Sequence, residues 1–150
     1  MKKIVNRKFS REYESIEQFE AGIVLTGAEV KSIREGAMRL DDAFVRIIQG
    51  QPILLNADIY PYKYADNKDY EPKRSRKLLL SKKEITRILT KIKGSGRLTL
   101  APVSCYNKGS LIKLEIALVR GRRDIEKRKL DKKKKIERRE KRETKEYIKN

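Results

Sequence analysis

Regularly spaced apolar residues stop near Gly121, and this division limits what the chain can fold into. Upstream, short apolar runs alternate with turn residues, whereas the later stretch "DKKKKIERREKR" (131–142) has one apolar residue in twelve. A segment of that kind has no face to bury in a protein core. The sequence therefore predicts a folded body over residues 1–120 and a basic tail over residues 121–150.

The charge of the chain favours a polyanion as partner. Lysine and arginine number 39 against 21 aspartates and glutamates, which gives a formal net charge of +18. The tail holds 15 of these basic residues against 7 acidic ones, so the remaining 24 basic and 14 acidic residues belong to the body. Neutralising phosphates releases condensed counterions, so nucleic acid is the predicted partner class.

The composition excludes most catalytic chemistry. The chain has no histidine and one cysteine, Cys105, so the usual zinc ligand sets, His-based catalysis and an intrachain disulfide are ruled out. The one adjacent acidic pair in the body, Asp41–Asp42, is better explained as part of a turn. We therefore predict a monomeric protein that is not an enzyme and that needs no metal or cofactor. With no signal-peptide pattern and no apolar run near 18 residues, a cytoplasmic location without membrane contact is expected.

The apolar patterning of the body predicts a mainly β fold with flanking helices. Strands are predicted over 21–27 and in two hairpins, 43–59 and 97–121, and a helix over 28–36. The Tyr-rich stretch 60–77 has no period and is predicted to be a long loop, a type of segment that often carries function.

The clearest helix is predicted within residues 78–96. Ser81 and Glu84 form a capping-box pattern, and the helix ends at the string "GSG". Its apolar face is predicted to comprise Ile85, Ile88, Leu89 and Ile92. Several short strands with few helices suggest a small closed or nearly closed β-barrel.

The tail lacks an apolar stripe, because Ile125, Leu130, Ile136 and Ile148 do not follow a helical period. Helix formers are abundant, but a helix with no face to bury is marginal in water. We therefore expect a tail that is disordered when free and helical against an anionic partner.

Five strings occur in order over nearly the whole chain: "NRK" (6–8), "FEAGIVLTGAEVKSIREG" (19–36), "PKRSRKLLL" (72–80), "LTLAPVSCYNKG" (98–109) and "GRRDIEKR" (121–128). Together they resemble the SsrA-binding protein family, also called small protein B. The resemblance implies an OB-like β-barrel that binds the tRNA-like domain of transfer-messenger RNA (tmRNA). It also implies delivery of that RNA to stalled ribosomes for trans-translation, where the barrel stands in for the anticodon arm and the tail enters the empty mRNA channel.

The same resemblance implies which residues contact RNA. Glu20, Leu79 and Lys113 fall on the family's principal RNA-contacting positions. The N-terminal basic-aromatic segment of the family matches Asn6, Arg7, Lys8 and Tyr13. Taken by themselves, these residues also allow other roles: Glu20 could pair with a local cation, Lys113 could be an ordinary outward strand residue, and Leu79 could belong to the core.

Two further groups of residues are candidates for RNA contact. Arg74, Arg76 and Lys77 flank the Tyr-rich loop, where cations beside aromatics suit backbone contact and base stacking, although a solvated loop is an equal alternative. At the start of the tail, Ile125 and Glu126 stand where the family usually has a ring and an aspartate. The residues predicted to contact the decoding centre and channel are Arg122, Arg123, Ile125, Glu126, Lys127, Arg128, Lys132, Lys133, Lys134 and Lys135.

Two other functions remain open from composition alone. One is a ribosomal or initiation-factor-like RNA-binding barrel with a basic extension. The other is an enzyme that acts on RNA, which would need a carboxylate metal site. The order of the family strings argues against both.

Overall fold

The computed structural model describes residues 1–149, so Asn150 of the predicted tail lies outside the described residues. Nine strands and four helices follow one another within this range. In chain order they are β1 (Ile4–Val5), α1 (Phe9–Glu12), β2 (Tyr13–Ile23), α2 (Gly27–Arg34), β3 (Met38–Arg39), β4 (Phe44–Ile48), β5 (Gln51–Leu55), β6 (Asp58–Ile59), β7 (Arg76–Leu79), α3 (Lys82–Ser95), β8 (Leu98–Lys108), β9 (Leu111–Gly121) and α4 (Asp124–Lys149).

Six antiparallel strands form a closed ring. The hydrogen-bonded order is β8, β4, β5, β7, β2 and β9, and β9 pairs with β8 to complete the circle. The short strand β1 is also paired with β8, while β3 and β6 form a separate two-stranded sheet. Closure pairs strand edges that would otherwise be open to other chains. The prediction of a strand-rich body with flanking helices is confirmed.

The core fills the inside of the ring. The alternating residues Ile112, Leu114, Ile116 and Leu118 of β9 are all buried, as their period of two predicted. Ile88 of α3 is fully buried, whereas Leu89 beside it is 42% exposed. The apolar face of α3 is therefore centred on Ile88 and is narrower than predicted.

The predicted turn and capping signals occur as expected. The Ser81 hydroxyl accepts a hydrogen bond from the Glu84 backbone N–H, which completes the capping box of α3, and Gly96 ends that helix with a φ of 65°. The β4–β5 hairpin turns at Gln49 and Gly50, which have φ values of 51° and 75°. Two successive residues with positive φ are typical of a two-residue hairpin turn, because that turn matches the strand twist.

Strand β2 begins well before the predicted strand 21–27 and ends at Ile23. Its early part is rich in charged residues because one side faces solvent, so the sequence shows no apolar run there. Register shifts interrupt the pairing between Ser15 and Glu17 in β2 and between Pro102 and Ser104 in β8. Each bulge reverses the face on which later side chains lie.

A second, smaller apolar cluster lies on the other face of the sheet. It comprises Ala101, Ala117 and Val119, and it is covered by Phe9 and Tyr13 from the N-terminal segment. The two aromatic rings lie 5.8 Å apart between centroids. Helix α1 is thereby fixed against β8 and β9 close to the start of the tail.

The prediction that the free tail is disordered is wrong in this structure. Residues 124–149 form one continuous helix, α4. Its first turns are held to α1, since Lys127 Nζ lies 2.8 Å from Glu12 Oε2 and Arg11 Nε lies 3.1 Å from Asp131 Oδ1. The costly step in helix formation is the first turn, and contacts with the body stabilise that turn here. The sequence pattern missed these contacts because they join residues more than 100 positions apart.

Candidate nucleic-acid interface

Two of the family-implied residues lie in one row across neighbouring strands. Gly22 of β2 is paired with Leu79 of β7 on one side and with Lys113 of β9 on the other. Lys113 is in turn paired with Tyr106 of β8. Residues directly paired across antiparallel strands point to the same face of a sheet. The side chains of Leu79, Lys113 and Tyr106 therefore share one outward surface, and Leu79 is 55% exposed on it.

Gly22 leaves the middle of this row without a side chain. A Cβ atom at this position would lie 3.2 Å from Leu79 Cβ, which is tighter than most side-chain contacts. Because Gly22 has no side chain, backbone is accessible between Leu79 and Lys113. We call the outward-facing surface formed by Glu20, Gly22, Leu79, Tyr106 and Lys113 the β2 patch; Glu20 and Leu79 are exposed, and the other three residues are half-buried.

Glu20 contributes a fixed carboxylate to the β2 patch. Its oxygens accept hydrogen bonds from Lys108 Nζ, at 2.9 Å, and from the Tyr106 hydroxyl. The hydrogen bonds from Lys108 and from Tyr106 lower the pKa of Glu20, so it stays ionised. Burial and the hydrogen bond to Glu20 raise the pKa of Tyr106 to about 12. Glu20 thus pairs with a local cation, as the alternative interpretation expected, and also lies on the same face as Leu79 and Lys113.

Sequence reasoning missed Tyr106 and Lys108. A strict period of two counted from Leu100, which is buried in the core, would also place residue 106 inside the ring. The bulge after Pro102 turns Cys105 inward instead and moves Tyr106 to the outer face. A proline within a strand is a signal of a bulge or an edge, and it was the one hint in the sequence.

The N-terminal candidates divide between buried and exposed positions. Asn6 is 4% exposed, and its side chain donates to the Pro102 carbonyl at 2.9 Å and accepts from the Lys8 backbone N–H at 3.1 Å. The side chains of Arg7 and Lys8 are exposed, although Lys8 is paired with Asp42 at 2.9 Å. Tyr13 is half-buried against Phe9. Asn6 and Tyr13 therefore hold the segment in place, and Arg7 presents a charge to solvent.

The predicted surface role of Arg76 is not compatible with its position. Arg76 is fully buried, and its Nη2 lies 2.6 Å from Glu29 Oε2 in α2. Arg74 is paired with Oε1 of the same carboxylate, and the Tyr70 hydroxyl lies 3.2 Å from Oε2. Burial would raise the pKa of Glu29, but the hydrogen bonds from Arg74, Thr26 and Arg76 outweigh it and lower the pKa to about 2.

This buried cluster ties the long loop to the body. Tyr70 and Arg74 come from the loop after β6, and they meet a helix that begins at Gly27. The predicted period-free loop is observed over residues 60–75, just before β7. Of the three cations predicted there, Lys77 is exposed, Arg74 is half-buried and Arg76 is internal. The sequence placed them together but could not show that two of them serve one buried carboxylate.

The base of the tail is held by a network of ion pairs. The Arg120 guanidinium pairs with Glu14 of β2 and lies 3.3 Å from Glu126 of α4. The Arg122 backbone N–H donates to the Glu12 carbonyl at 2.8 Å. Of the predicted tail residues, Arg122, Glu126 and Lys127 are therefore part of the body–tail junction.

The remaining predicted tail residues face solvent. Ile125 is 66% exposed, so most of its apolar side chain faces solvent. The exposed cations of this set are Arg123, Arg128, Lys132, Lys133, Lys134 and Lys135. Among residues 1–149, no group of three histidine, cysteine, aspartate or glutamate side chains is arranged to hold a metal ion. In the same range, no helix is both long and apolar enough to cross a membrane.

Comparison with known proteins identifies the family. The model of the SmpB protein family matches residues 3–146. The chain is 48% identical to the SsrA-binding protein of Sulfurihydrogenibium sp. (strain YO3AOP1) over 133 residues, which cover 89% of this chain and 87% of the relative. It is 45% identical to the SsrA-binding protein of Pseudothermotoga lettingae, with 92% and 93% of the two chains covered.

A solved structure gives the same answer. The chain matches a protein in the work "tmRNA-SmpB: a journey to the center of the bacterial ribosome" with a TM-score of 0.66 and 38% identity, over 81% of this chain and 85% of that one. Sequence relatives, the family model and the fold agree over most of the chain. The protein therefore belongs to the SmpB family, whose members are named SsrA-binding proteins.

Proposed function

We propose that this protein binds the tRNA-like domain of tmRNA and delivers it to stalled ribosomes for trans-translation, without being an enzyme. Membership of the SmpB family and the name SsrA-binding protein support this assignment. So does the likeness to a tmRNA–SmpB structure on the ribosome. The proposal includes a cytoplasmic location and a monomeric protein.

The observation that carries the proposal is the β2 patch. Leu79 and Lys113 are 34 positions apart in sequence, yet both are paired with the same glycine. Glu20 lies two residues before that glycine and on the same face. The patch combines a cation, an exposed apolar side chain and an ionised acceptor. Such a set can contact phosphate, a base face and a 2′-hydroxyl together.

The proposal assigns different parts to the two halves of the chain. The ring over residues 1–120 acts as an OB-like RNA-binding domain that takes the place of the anticodon arm. The tail over residues 121–150 enters the empty mRNA channel as a helix. The charged residues within 132–146 are all exposed, so RNA lining a narrow channel can neutralise the helix on all sides.

Among the candidate residues, Glu20, Leu79 and Lys113 are assigned direct RNA contacts, and the exposed Arg7, Lys8 and Lys77 are assigned further contacts with the RNA backbone. Asn6, Tyr13, Arg74 and Arg76 are assigned positioning roles, because protein contacts occupy their side chains.

A salt series of RNA binding tests the proposal. Binding to the tRNA-like domain of tmRNA is measured between about 50 and 300 mM salt with ordinary alanyl-tRNA as competitor. Preference for the tmRNA fragment at salt concentrations that release tRNA is the expected result, since specific contacts are less salt-dependent than phosphate contacts. Equal release of both RNAs would favour a ribosomal or initiation-factor-like role instead.

A further inference from the structure

A basic groove lies beside the β2 patch, between β1 and the C-terminal end of α2. It has a volume of about 640 Å³. Five cationic side chains line it, against the two carboxylates of Glu35 and Asp41. The cations are Lys2, Lys3, Arg7, Arg34 and Arg39.

Most of this charge is uncompensated by protein groups. Thirteen ion pairs occur within residues 1–149, and of the groove cations only Arg39 takes part in one of them. The side chains of Lys2, Lys3, Arg7 and Arg34 form no ion pair with a carboxylate in this range. Asp41 is already engaged by the Arg7 backbone N–H at 3.0 Å and by Arg39 at 3.5 Å. Like charges that converge without a partner repel one another, so the groove is suited to an external anion.

Two contacts make the groove continuous with the β2 patch. Lys3 Nζ lies 5.7 Å from the ring centroid of Tyr106, whose hydroxyl is bonded to Glu20. On the other wall, the Arg34 guanidinium donates to the Ser110 carbonyl at 3.0 Å, in the β8–β9 turn. Two of the five groove cations, Lys3 and Arg34, therefore contact the same hairpin that carries Lys113.

Aromatic side chains in the loop that continues from Tyr60 favour RNA over a small anion. Tyr60 lines the groove, and the loop continues to Tyr62 and Tyr64, whose ring centroids are 5.5 Å apart. Lys31 and Lys63 lie over these two rings at 5.6 and 4.7 Å from the centroids. Tyr64 is 74% exposed. Exposed aromatic faces beside cations are the arrangement that stacks unpaired bases while the cations contact the backbone.

We infer that the groove between β1 and α2 is a second RNA-binding site that holds the sugar–phosphate backbone beyond the β2 patch, with Tyr62 and Tyr64 available to stack an unpaired base. This inference rests on the proposed function only for the identity of the RNA, which is either tmRNA or ribosomal RNA. Both RNAs would present the same chemistry to the groove, which is a run of backbone phosphates.

The test compares two full-length variants with the same loss of charge. K2Q/K3Q/R39Q removes three cations from the groove, and K83Q/K93Q/R97Q removes three exposed cations from α3 and the turn after it. Thermal unfolding confirms that both remain folded. Binding is measured as a function of salt with the tRNA-like domain of tmRNA and, separately, with isolated small ribosomal subunits.

Each lost phosphate contact lowers the slope of log affinity against log salt by about 0.7 to 0.9. For one of the two RNAs, we expect the groove variant to bind at least tenfold more weakly than the wild type. We also expect the magnitude of its salt slope to fall by about 2. Both changes should be much smaller in the control variant. The RNA that shows the loss is the ligand of the groove. Equal small losses in both variants with both RNAs would overturn the inference. The wild-type protein could show no preference for tmRNA while the groove variant still shows a reduced salt slope. In that case the proposed function fails, but the inference of an RNA-binding groove is supported.

Discussion

Glu29 and Arg76 form an ion pair inside the protein, with 2.6 Å between Glu29 Oε2 and Arg76 Nη2 and with side chains that are 1% and 0% exposed. The pair joins the first turns of α2 to the start of β7. The other terminal nitrogen of the guanidinium is also bonded: Arg76 Nη1 donates to the Ala57 carbonyl at 2.8 Å. The Tyr-rich loop is therefore anchored from within.

Substitution of Glu29 is expected to destabilise the protein strongly. Glu29→Gln leaves a buried guanidinium without its counter-charge, and breaking a buried pair from one side costs about 3–5 kcal/mol. Urea unfolding at pH 7 measures the change in the free energy of unfolding. Glu35→Gln, an exposed position just after the same helix, should change it by less than about 0.5 kcal/mol. A loss of under 1 kcal/mol for Glu29→Gln would contradict the anchoring role.

The same carboxylate should make stability depend on acid. The pKa of Glu29 is lowered in the folded state to about 2 from an ordinary value of 4.5. Its contribution to stability is therefore complete above about pH 4.5 and is lost as the pH falls towards 2, by about 3 kcal/mol. The free energy of unfolding, measured as a function of pH at 0.5 M salt, tests this loss, because the salt screens the surface ion pairs. In Arg74→Gln, which lacks one of the bonded cations, the acid-dependent loss should be smaller; an identical profile would refute the assignment.

Residues of the β2 patch should affect RNA binding more than folding. Leu79 and Lys113 project outward, so Leu79→Ala and Lys113→Gln are expected to change stability by no more than about 0.5 kcal/mol. Each should weaken binding to the tRNA-like domain of tmRNA by about 1–3 kcal/mol if the side chain contacts a base or phosphate. Leu89→Ala, at an exposed leucine of α3, is the matched control. Equal affinities for Leu79→Ala and Leu89→Ala would remove Leu79 from the interface.

Deletion of residues 131–150 should separate binding from delivery. The deletion removes the Arg11–Asp131 pair but keeps the contact of Lys127 with Glu12, so the helix start is still held to α1. We expect binding to the tmRNA fragment to stay within about threefold at physiological salt, because screening weakens charges more than a Debye length from the site. Peptidyl transfer to alanyl-tmRNA on stalled ribosomes should be abolished. A loss of RNA affinity as severe as the loss of transfer would contradict this division of labour.

An aromatic residue at position 125 should strengthen the engagement of the ribosome. Ile125 is exposed at the position where the family resemblance implies a ring, and isoleucine cannot π-stack on a base. Stacking is worth about 1–3 kcal/mol per base, so Ile125→His or Ile125→Tyr should raise the rate of peptidyl transfer. Ile125→Val, which adds no ring, is the control. No gain in rate from either ring would show that position 125 makes no stacking contact here.

Much of the body could be predicted from local patterns. The capping box at Ser81, the hairpin turn at Gly50 and the alternation from Ile112 to Leu118 all occur as the sequence indicated. These signals depend on residues close in sequence, so tertiary contacts do not alter them. The family strings also led to Glu20 as a candidate for the site.

What the sequence determined by itself is the division into an apolar-patterned body and a charged tail, the strand-rich class of the body and the anionic nature of its partner. Only the tertiary structure decided which side chains share a surface. The bulges in β2 and β8 reverse the inward and outward faces, which brings Tyr106 beside Lys113, and the burial of Glu29 draws Arg76 inside. Contacts between α1 and α4 make the start of the tail helical. Each depends on pairings between residues distant in the chain, and no local spacing encodes them.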